Sequence, residues 1–103
     1  MAKRGRAAAS HTVQQYYLGG KKQPAILKEE VWMDAKGEVT RYSLAYIDSS
    51  VYAGDNGRVL GYDNAHGRHH RHFMGRESSF EFRGYAEVVN RFEREVAKLR
   101  RKS

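Results

Sequence analysis

The sequence contains no cysteine, only one proline and no long apolar run, and each of these absences excludes a class of protein. Without cysteine the chain can form neither a disulfide framework nor a zinc site built on thiolates. No stretch approaches the roughly 18 consecutive apolar residues that span a bilayer. The basic start at residues 1–10 is followed by polar residues instead of the apolar run of about 7–15 residues that a secretory signal carries. We therefore expect a soluble protein of the reducing cytoplasm, with no membrane contact.

The length and the charge of the chain limit its organisation and its partners. A chain of 103 residues, 40% of them hydrophobic, can build one modest core, so we expect a single domain. We place this domain at residues 23–103 and interpret residues 1–22 as a basic, partly flexible arm. The net charge of +7 favours a polyanionic partner such as RNA, DNA or an acidic protein. The oligomeric state is left open, a homodimer included.

The segment that begins at Ser10 has two interpretations. Serine caps helices well, and Val13, Tyr16 and Tyr17 would share one face of a short helix that ends at the glycine pair 19–20. A strand is nearly as compatible with the same residues, because tyrosine and valine favour extended structure. In both cases the residues before the only proline form a linker or a turn.

Four later runs of β-forming residues predict strands. Ile26–Met33 and Glu38–Ile47 flank a turn that ends in a glycine placed for positive φ, so we expect a hairpin. Arg58–Tyr62 is the third strand, and Phe80–Phe82 is a short fourth strand.

The last element is an amphipathic helix that begins at Tyr85. Its apolar residues recur at the spacing of one helical face, namely Val88, Val89, Phe92, Val96 and Leu99. The whole pattern predicts an α+β fold, in which a small antiparallel sheet of three to four strands carries the C-terminal helix on one face.

Residues 63–72 concentrate four of the five histidines and two arginines in ten residues. In a regular strand, Arg68, His70 and His72 would lie on one face, and His69 would lie on the other face with Arg71 and Phe73. Neither face is apolar, so the segment cannot be an ordinary half-buried strand. We expect it at a sheet end, at a sheet edge, or in a loop beside a cleft.

This composition is typical of acid–base chemistry beside a phosphate. Cleavage of RNA needs a base for the ribose 2′-hydroxyl, an acid for the departing 5′-oxygen and cations for the charge of the transition state. Histidines in opposite protonation states supply the first two without a metal. The candidate residues are, for proton transfer, His69, His70 and His72, and, for the phosphate, Arg68, Arg71 and Arg76. Asp63 would orient a histidine, and Tyr62 would stack on a base.

Two other interpretations use the same residues. The segment offers enough imidazoles for zinc or nickel, namely His66, His69, His70 and His72, with Asp63 as an oxygen ligand. Against this, adjacent histidines point apart in extended structure, and the two arginines repel a cation. The third interpretation is a non-catalytic basic loop that binds nucleic acid or a partner protein, with Asp63 and Asn64 simply organising a turn.

The run Tyr62-Asp63-Asn64-Ala65-His66, followed by His69-His70-Arg71-His72, resembles the TumE family of toxins from bacterial and archaeal toxin–antitoxin pairs. The resemblance extends over roughly residues 25–100, through the order of hairpin, third strand, histidine segment and helix. It implies a growth-inhibiting toxin and ribonuclease, neutralised by a helix-turn-helix antitoxin. Because the chain has a net charge of +7, we expect that antitoxin to present an acidic or groove-filling segment. The functional positions that it implies are Asp63, Asn64, His66, His69, His70 and His72.

Together, the residues and the resemblance lead us to expect an RNA endonuclease toxin that needs no cofactor. His70 and His72 would form the acid–base pair, in an order that the sequence does not assign. Asn64, His66 and Tyr62 would support them. The alternatives are a non-catalytic binding module and a protein that binds zinc through histidine.

Overall fold

A computed structural model describes residues 9–19 and 25–102, without the side chain of Lys102. Six strands form one sheet in chain order, and each strand is antiparallel to the next. The strands are β1 (Ser10–Leu18), β2 (Ala25–Met33), β3 (Val39–Ile47), β4 (Arg58–Asp63), β5 (His70–Phe73) and β6 (Arg76–Ser79). Short 3-10 turns at Asp55–Gly57 and Ala65–Gly67 flank β4, and helix α1 (Tyr85–Lys102) follows the sheet.

The α+β class and the C-terminal helix are confirmed, but the expected count of three to four strands is wrong. The segment at Ser10 forms β1 and not a helix, which confirms the alternative interpretation. The histidine segment contributes β5, one strand in from the sheet edge. The expected strand at 80–82 is absent, and β6 lies just before it at Arg76–Ser79.

Strands β5 and β6, which were not predicted, and strand β1, which the sequence left open between a helix and a strand, share a physical cause. Strands β1 and β6 are exposed along almost their whole length, and every residue of β5 is only half-buried. Such strands are held by backbone hydrogen bonds to a neighbouring strand and not by burial of alternate side chains. Their sequences therefore lack the alternation of apolar and polar residues from which strands are predicted.

The core lies between the sheet and the helix. Tyr42, Leu44 and Tyr46 of β3 and Tyr62 of β4 are almost completely buried beneath the apolar stripe of α1. That stripe contributes Val88, Phe92 and Val96 to the core. The predicted hairpin and its turn are also confirmed, since β2 pairs with β3 and Gly37 has a φ of +86°.

The sheet therefore has two unlike faces, which we call the helix face and the open face. The helix face carries α1, and no helix within residues 9–19 and 25–102 covers the open face. In the register, Asp63 lies beside Ser43 and His70, and Gly61 lies beside Ala45 and His72. Because side chains alternate along a strand, these residues share the open face, whereas Tyr62 and Arg71 share the helix face.

Part of the expected N-terminal arm and its linker falls on residues 1–8 and 20–24, which lie outside the described residues. Residues 10–18 of that arm form β1, and the division into an arm (1–22) and a domain (23–103) stays a prediction. Among the described residues, α1 is the longest helix, and it is too polar to cross a membrane.

Candidate functional site

Three side chains of the histidine segment meet on the open face. The Nε2 atom of His72 lies 2.9 Å from Oδ2 of Asp63. The Nδ1 atom of His70 lies 3.9 Å from Oδ1 of the same carboxylate, and the two imidazole centroids are 6.1 Å apart. The strand register explains this arrangement, since His70 pairs with Asp63 and His72 pairs with the next open-face residue, Gly61. We call Asp63, His70 and His72 the open-face triad.

The open-face triad is partly shielded from solvent, with 14–15% of each side chain exposed. Asp63 is fixed at its other oxygen, because Oδ1 accepts a hydrogen bond of 3.1 Å from the backbone N–H of Ala65. The carboxylate therefore organises the turn after β4 and also holds His72. From β6, Oε2 of the exposed Glu77 approaches Nε2 of His70 at 3.3 Å.

The sequence did not point to Arg58, which is the arginine nearest to the open-face triad. Its Nη1 atom lies 3.8 Å from Oδ2 of Asp63, and its Nε–H donates a 2.7 Å hydrogen bond to Asp55. Strict alternation along β4 would place Arg58 and Asp63 on opposite faces. A bulge at Val59 removes this mismatch, because Ile47 pairs with Arg58 while Tyr46 already pairs with Leu60.

Gly61 provides the space for the Arg58 side chain. A Cβ atom at position 61 would lie 2.8 Å from Cδ of Arg58, closer than real Cβ contacts, and 3.3 Å from its Nη1. The guanidinium group therefore reaches Asp63 by lying across the bare backbone of Gly61. A glycine inside a strand is a signal of close approach, and Gly61 is the sequence signal from which the position of Arg58 could have been found.

His69 is separated from the open-face triad. It lies on the helix face, where its Nδ1 atom and the hydroxyl of Tyr42 form a hydrogen bond of 2.9 Å. Its ring stacks on Phe82 with centroids 4.0 Å apart. Burial lowers the pKa of His69 below its usual value, and the nearby His70 lowers it further. The ring therefore packs against aromatic residues in its neutral form.

Arg71 also lies on the helix face and is tied to the helix. Its guanidinium group donates to both oxygens of Glu95, at 3.3 and 2.9 Å. The hydroxyl of Tyr62 donates to the same carboxylate. Burial, followed by the effect of Glu95, raises the pKa of Tyr62 to about 12. Tyr62 is completely buried, so its ring has no exposed surface on which a base could stack.

The remaining residues predicted for the site either support the strands that carry it or lie exposed around its edge. The side chain of Asn64 continues the sheet, since its Oδ1 accepts from the backbone N–H of Tyr42 and its Nδ2 donates to the carbonyl of Thr40. His66 lies in the exposed turn after β4, with a φ of +61°. Arg68 and Arg76 are exposed.

The open-face triad is also a set of potential metal ligands. Within residues 9–19 and 25–102, it is the one group of at least three histidine and acidic residues whose ligand atoms lie within 4.8 Å of one another. His66 and His69 do not join it, so the ligand set of four histidines is not assembled. The alternation of His69 and His70 across the sheet explains why.

The comparison with known families identifies one match. The model of the family described as Toxin TumE matches residues 22–100, which include β2 to β6 and most of α1. The open-face triad, Arg58 and the Arg71–Glu95 pair all lie inside that range. No curated protein and no solved structure matches the chain.

Proposed function

The chain belongs to the TumE toxin family, and from this premise we propose that it inhibits growth by cleaving RNA with the imidazoles of His70 and His72. As a member of this family it has a cognate antitoxin as its partner. We place the reaction in the cytoplasm and assign the antitoxin to the helix-turn-helix class. The net charge of +7 supports an antitoxin segment with acidic residues.

The observation that carries the proposal is the contact between His72 and Asp63, with a second imidazole beside it. A carboxylate that accepts the proton of Nε2 fixes the tautomer of His72 and leaves the lone pair on Nδ1. Nδ1 of His72 then takes the proton from the ribose 2′-hydroxyl. The freed oxygen attacks the adjacent phosphorus, and the bond from phosphorus to the 5′-oxygen breaks.

His70 gives a proton to the departing 5′-oxygen. Its ring centroid lies 6.1 Å from that of His72, so the two rings are close enough for one phosphate group to contact both of them. Arg58 stabilises the negative charge that grows on the phosphate oxygens, because its guanidinium group is the cation nearest to Asp63. The products are a 2′,3′-cyclic phosphate and a 5′-hydroxyl. The reaction consumes no cofactor.

Single substitutions test the proposal. His72→Ala and His70→Ala should each lower the rate of RNA cleavage by about 10²–10⁴-fold, the usual contribution of general acid–base catalysis, and should abolish growth inhibition. The matched control is His11→Gln, which removes an imidazole from β1, four strands away from β5, and keeps a side chain that can donate a hydrogen bond to Glu30. It should retain cleavage within about three-fold. Wild-type rates in the doubly substituted protein would overturn the assignment.

A modified substrate separates the two roles. Sulfur in place of the bridging 5′-oxygen gives a leaving group that needs no proton. With this substrate, His70→Ala should regain most of the wild-type rate, whereas His72→Ala should stay slow. The reverse result would exchange the two assignments, and equal rescue of both variants would show that neither histidine is a dedicated acid.

A second candidate function follows from the convergence of the same three residues. Two imidazoles and one carboxylate form a donor set that zinc accepts, and a bound zinc would lower the pKa of its water. Arg58 opposes this, because its charge lies 3.8 Å from the carboxylate. Elemental analysis of protein purified without a histidine tag distinguishes the two. One equivalent of zinc, with activity lost to a chelator, would replace the metal-free mechanism.

A further inference from the structure

A trough runs along the open face beside the open-face triad. It encloses about 300 Å³, at the lower end of the range for small-molecule sites. Its floor is formed by small and apolar side chains of β3, and its walls by polar side chains of β2, of the turn before β4 and of the first residue of β4. The residues on the floor are Ser43, Ala45 and Ile47, and those on the walls are Lys28, Glu30, Asp55, Asn56 and Arg58.

The register explains why the trough is open. Lys28 pairs with Ala45, and Ala45 pairs with Gly61, so this row contributes no large side chain of its own between β2 and the histidines of β5, and only the Arg58 side chain lies across Gly61. Ser43 fills the next row between Glu30 and Asp63. Adjacent strands lie about 4.8 Å apart, so the floor on β3 is roughly 10 Å from the histidines on β5. A ribose and its phosphate can bridge that distance.

Two features of the lining fit a nucleobase. Ile47 and the small exposed part of Ala45 offer an apolar surface to the face of a ring, and the walls offer hydrogen-bonding groups to its edge. Glu30 and Asp55 are carboxylates, which only accept hydrogen bonds when ionised. Glu30 is paired with His11, and Asp55 is paired with Arg58. Since a carboxylate can accept about four hydrogen bonds, capacity remains on both for the amino group of a base.

The only tryptophan does not compete for this role. Trp32 also lies on the open face, but His11 stacks on its ring with centroids 4.3 Å apart and the guanidinium of Arg41 lies 4.6 Å from its centroid. These two residues belong to the strands on either side of β2, so they cover opposite faces of the indole. A base cannot stack there without displacing one of them.

We propose that the trough binds the base of the nucleotide next to the scissile phosphate and selects a base with an exocyclic amino group over uracil. This inference rests on the proposed ribonuclease function and adds a specificity site to it. Arg58 connects the trough to the open-face triad, since it lines the trough and also approaches Asp63. The base and the phosphate are therefore held by one continuous surface.

The test compares cleavage patterns on a single-stranded RNA that contains every dinucleotide step. The wild-type protein should cut steps beside adenosine, guanosine or cytidine at least ten-fold faster than the matching steps beside uridine, the discrimination expected from one or two hydrogen bonds. Ala45→Leu fills the floor and should reduce this preference to about two-fold or less.

Two further variants control for the position of the new side chain and for misfolding. Gln15→Leu adds the same side chain on the open face of β1, next to Lys28 but outside the trough, and should keep the wild-type preference. Asn56→Gly removes a wall side chain at a residue with a φ of +57°, a conformation that glycine adopts freely, and should weaken the preference even if Ala45→Leu fails to fold.

The outcomes separate the two proposals. A wild-type protein that cuts no RNA contradicts the proposed function, and the base site is lost with it. A wild-type protein that cuts all steps equally overturns the base site alone. The base site is also overturned if Asn56→Gly and a folded Ala45→Leu keep the full preference.

Discussion

The two faces of the sheet use the same residue types for different purposes. On the helix face, His69 and Arg71 are bound to Tyr42 and Glu95 and belong to the packing of the fold. On the open face, His70 and His72 surround one carboxylate at the surface, with no helix among the described residues above them. The three histidines and the arginine are consecutive in the chain. Their strand positions alone decide which of them lie on the open face.

The comparison extends to the two arginines with carboxylate partners. Arg71 makes two hydrogen bonds to Glu95, and that carboxylate also accepts from a buried tyrosine, so the group is closed and structural. Arg58 is held at Nε by Asp55, while its Nη1 stands 3.8 Å from Asp63, too far for a hydrogen bond. An arginine fixed at one end and loosely placed at the other can bind an anion without losing its own support.

The largest expected effect is on the rate of RNA cleavage, and it should result from loss of Arg58 but not from loss of Arg71. Arg58→Ala should lower kcat/KM for RNA by about 10²–10³-fold, the usual loss when one stabiliser of transition-state charge is removed. The free energy of unfolding should change by less than about 1 kcal/mol, since the Arg58–Asp55 pair is near the surface. Cleavage assays together with urea unfolding measure both quantities.

Two variants sharpen this prediction. Arg58→Lys keeps the charge but not the fork of donors, and should recover part of the lost rate. Gly61→Ala places a Cβ against the Arg58 side chain and should lower the rate in the same direction by moving the guanidinium group. If Arg71→Ala reduced the rate per folded molecule as much as Arg58→Ala does, the division of roles between the faces would be wrong.

The second prediction concerns stability: loss of a carboxylate on the helix face should destabilise the fold without affecting RNA cleavage. Glu95→Ala leaves the hydroxyl of Tyr62 and the guanidinium of Arg71 without their shared acceptor. We expect the free energy of unfolding to fall by roughly 2–3 kcal/mol, the range for hydrogen bonds to a charged group. The rate of RNA cleavage per folded molecule should stay unchanged.

The control for this variant is Glu93→Ala, which removes an exposed carboxylate from the same helix and should cost less than about 0.5 kcal/mol. Thermal or urea unfolding of both proteins gives the comparison. Equal losses in the two variants would indicate that Glu95 acts through the charge of the helix and not through its bond to Tyr62.

Much of the fold could be predicted from the sequence, because its main strands and its helix each bury an apolar face. The hairpin, the strand that ends at Tyr62 and the helix from Tyr85 all show apolar periodicity, and the structure confirms them. Strands β1, β5 and β6 do not bury a face, so their sequences carry no such pattern. Side-chain periodicity reports what a strand buries and not whether its backbone is paired.

The sequence indicated most of the residues of the candidate site, but only part of their arrangement in space. The rule of alternation assigned His70 and His72 to one face and His69 to the other, as the structure has them. It failed for Arg58, since the bulge at Val59 shifts the strand by one residue, and the glycine at position 61 inside the strand was the sequence signal of this irregularity. The phosphate-binding roles of Arg68 and Arg76 stay predictions.

The smallest expected effect is a pH dependence that originates on the helix face. Because burial lowers the pKa of His69 in the folded protein, the unfolded chain takes up a proton at a higher pH than the folded chain does. The contribution of His69 to the stability of the fold is therefore fully present above about pH 6.5, the ordinary pKa of histidine, and is lost as the pH falls below that value. A single titrating group can change the free energy of unfolding by at most about 1.4 kcal/mol for each pH unit.

His69→Gln isolates this contribution, because glutamine accepts a hydrogen bond from Tyr42 but does not titrate. The variant should be less stable at neutral pH, and its stability should fall less steeply than that of the wild type between pH 7 and pH 5. Urea unfolding at several pH values measures the difference in slope, and contributions from carboxylates cancel because both proteins share them. Parallel curves would mean that His69 is solvated in the folded protein. It would then be available to a substrate beside His70, and the separation of the two faces would no longer explain the site.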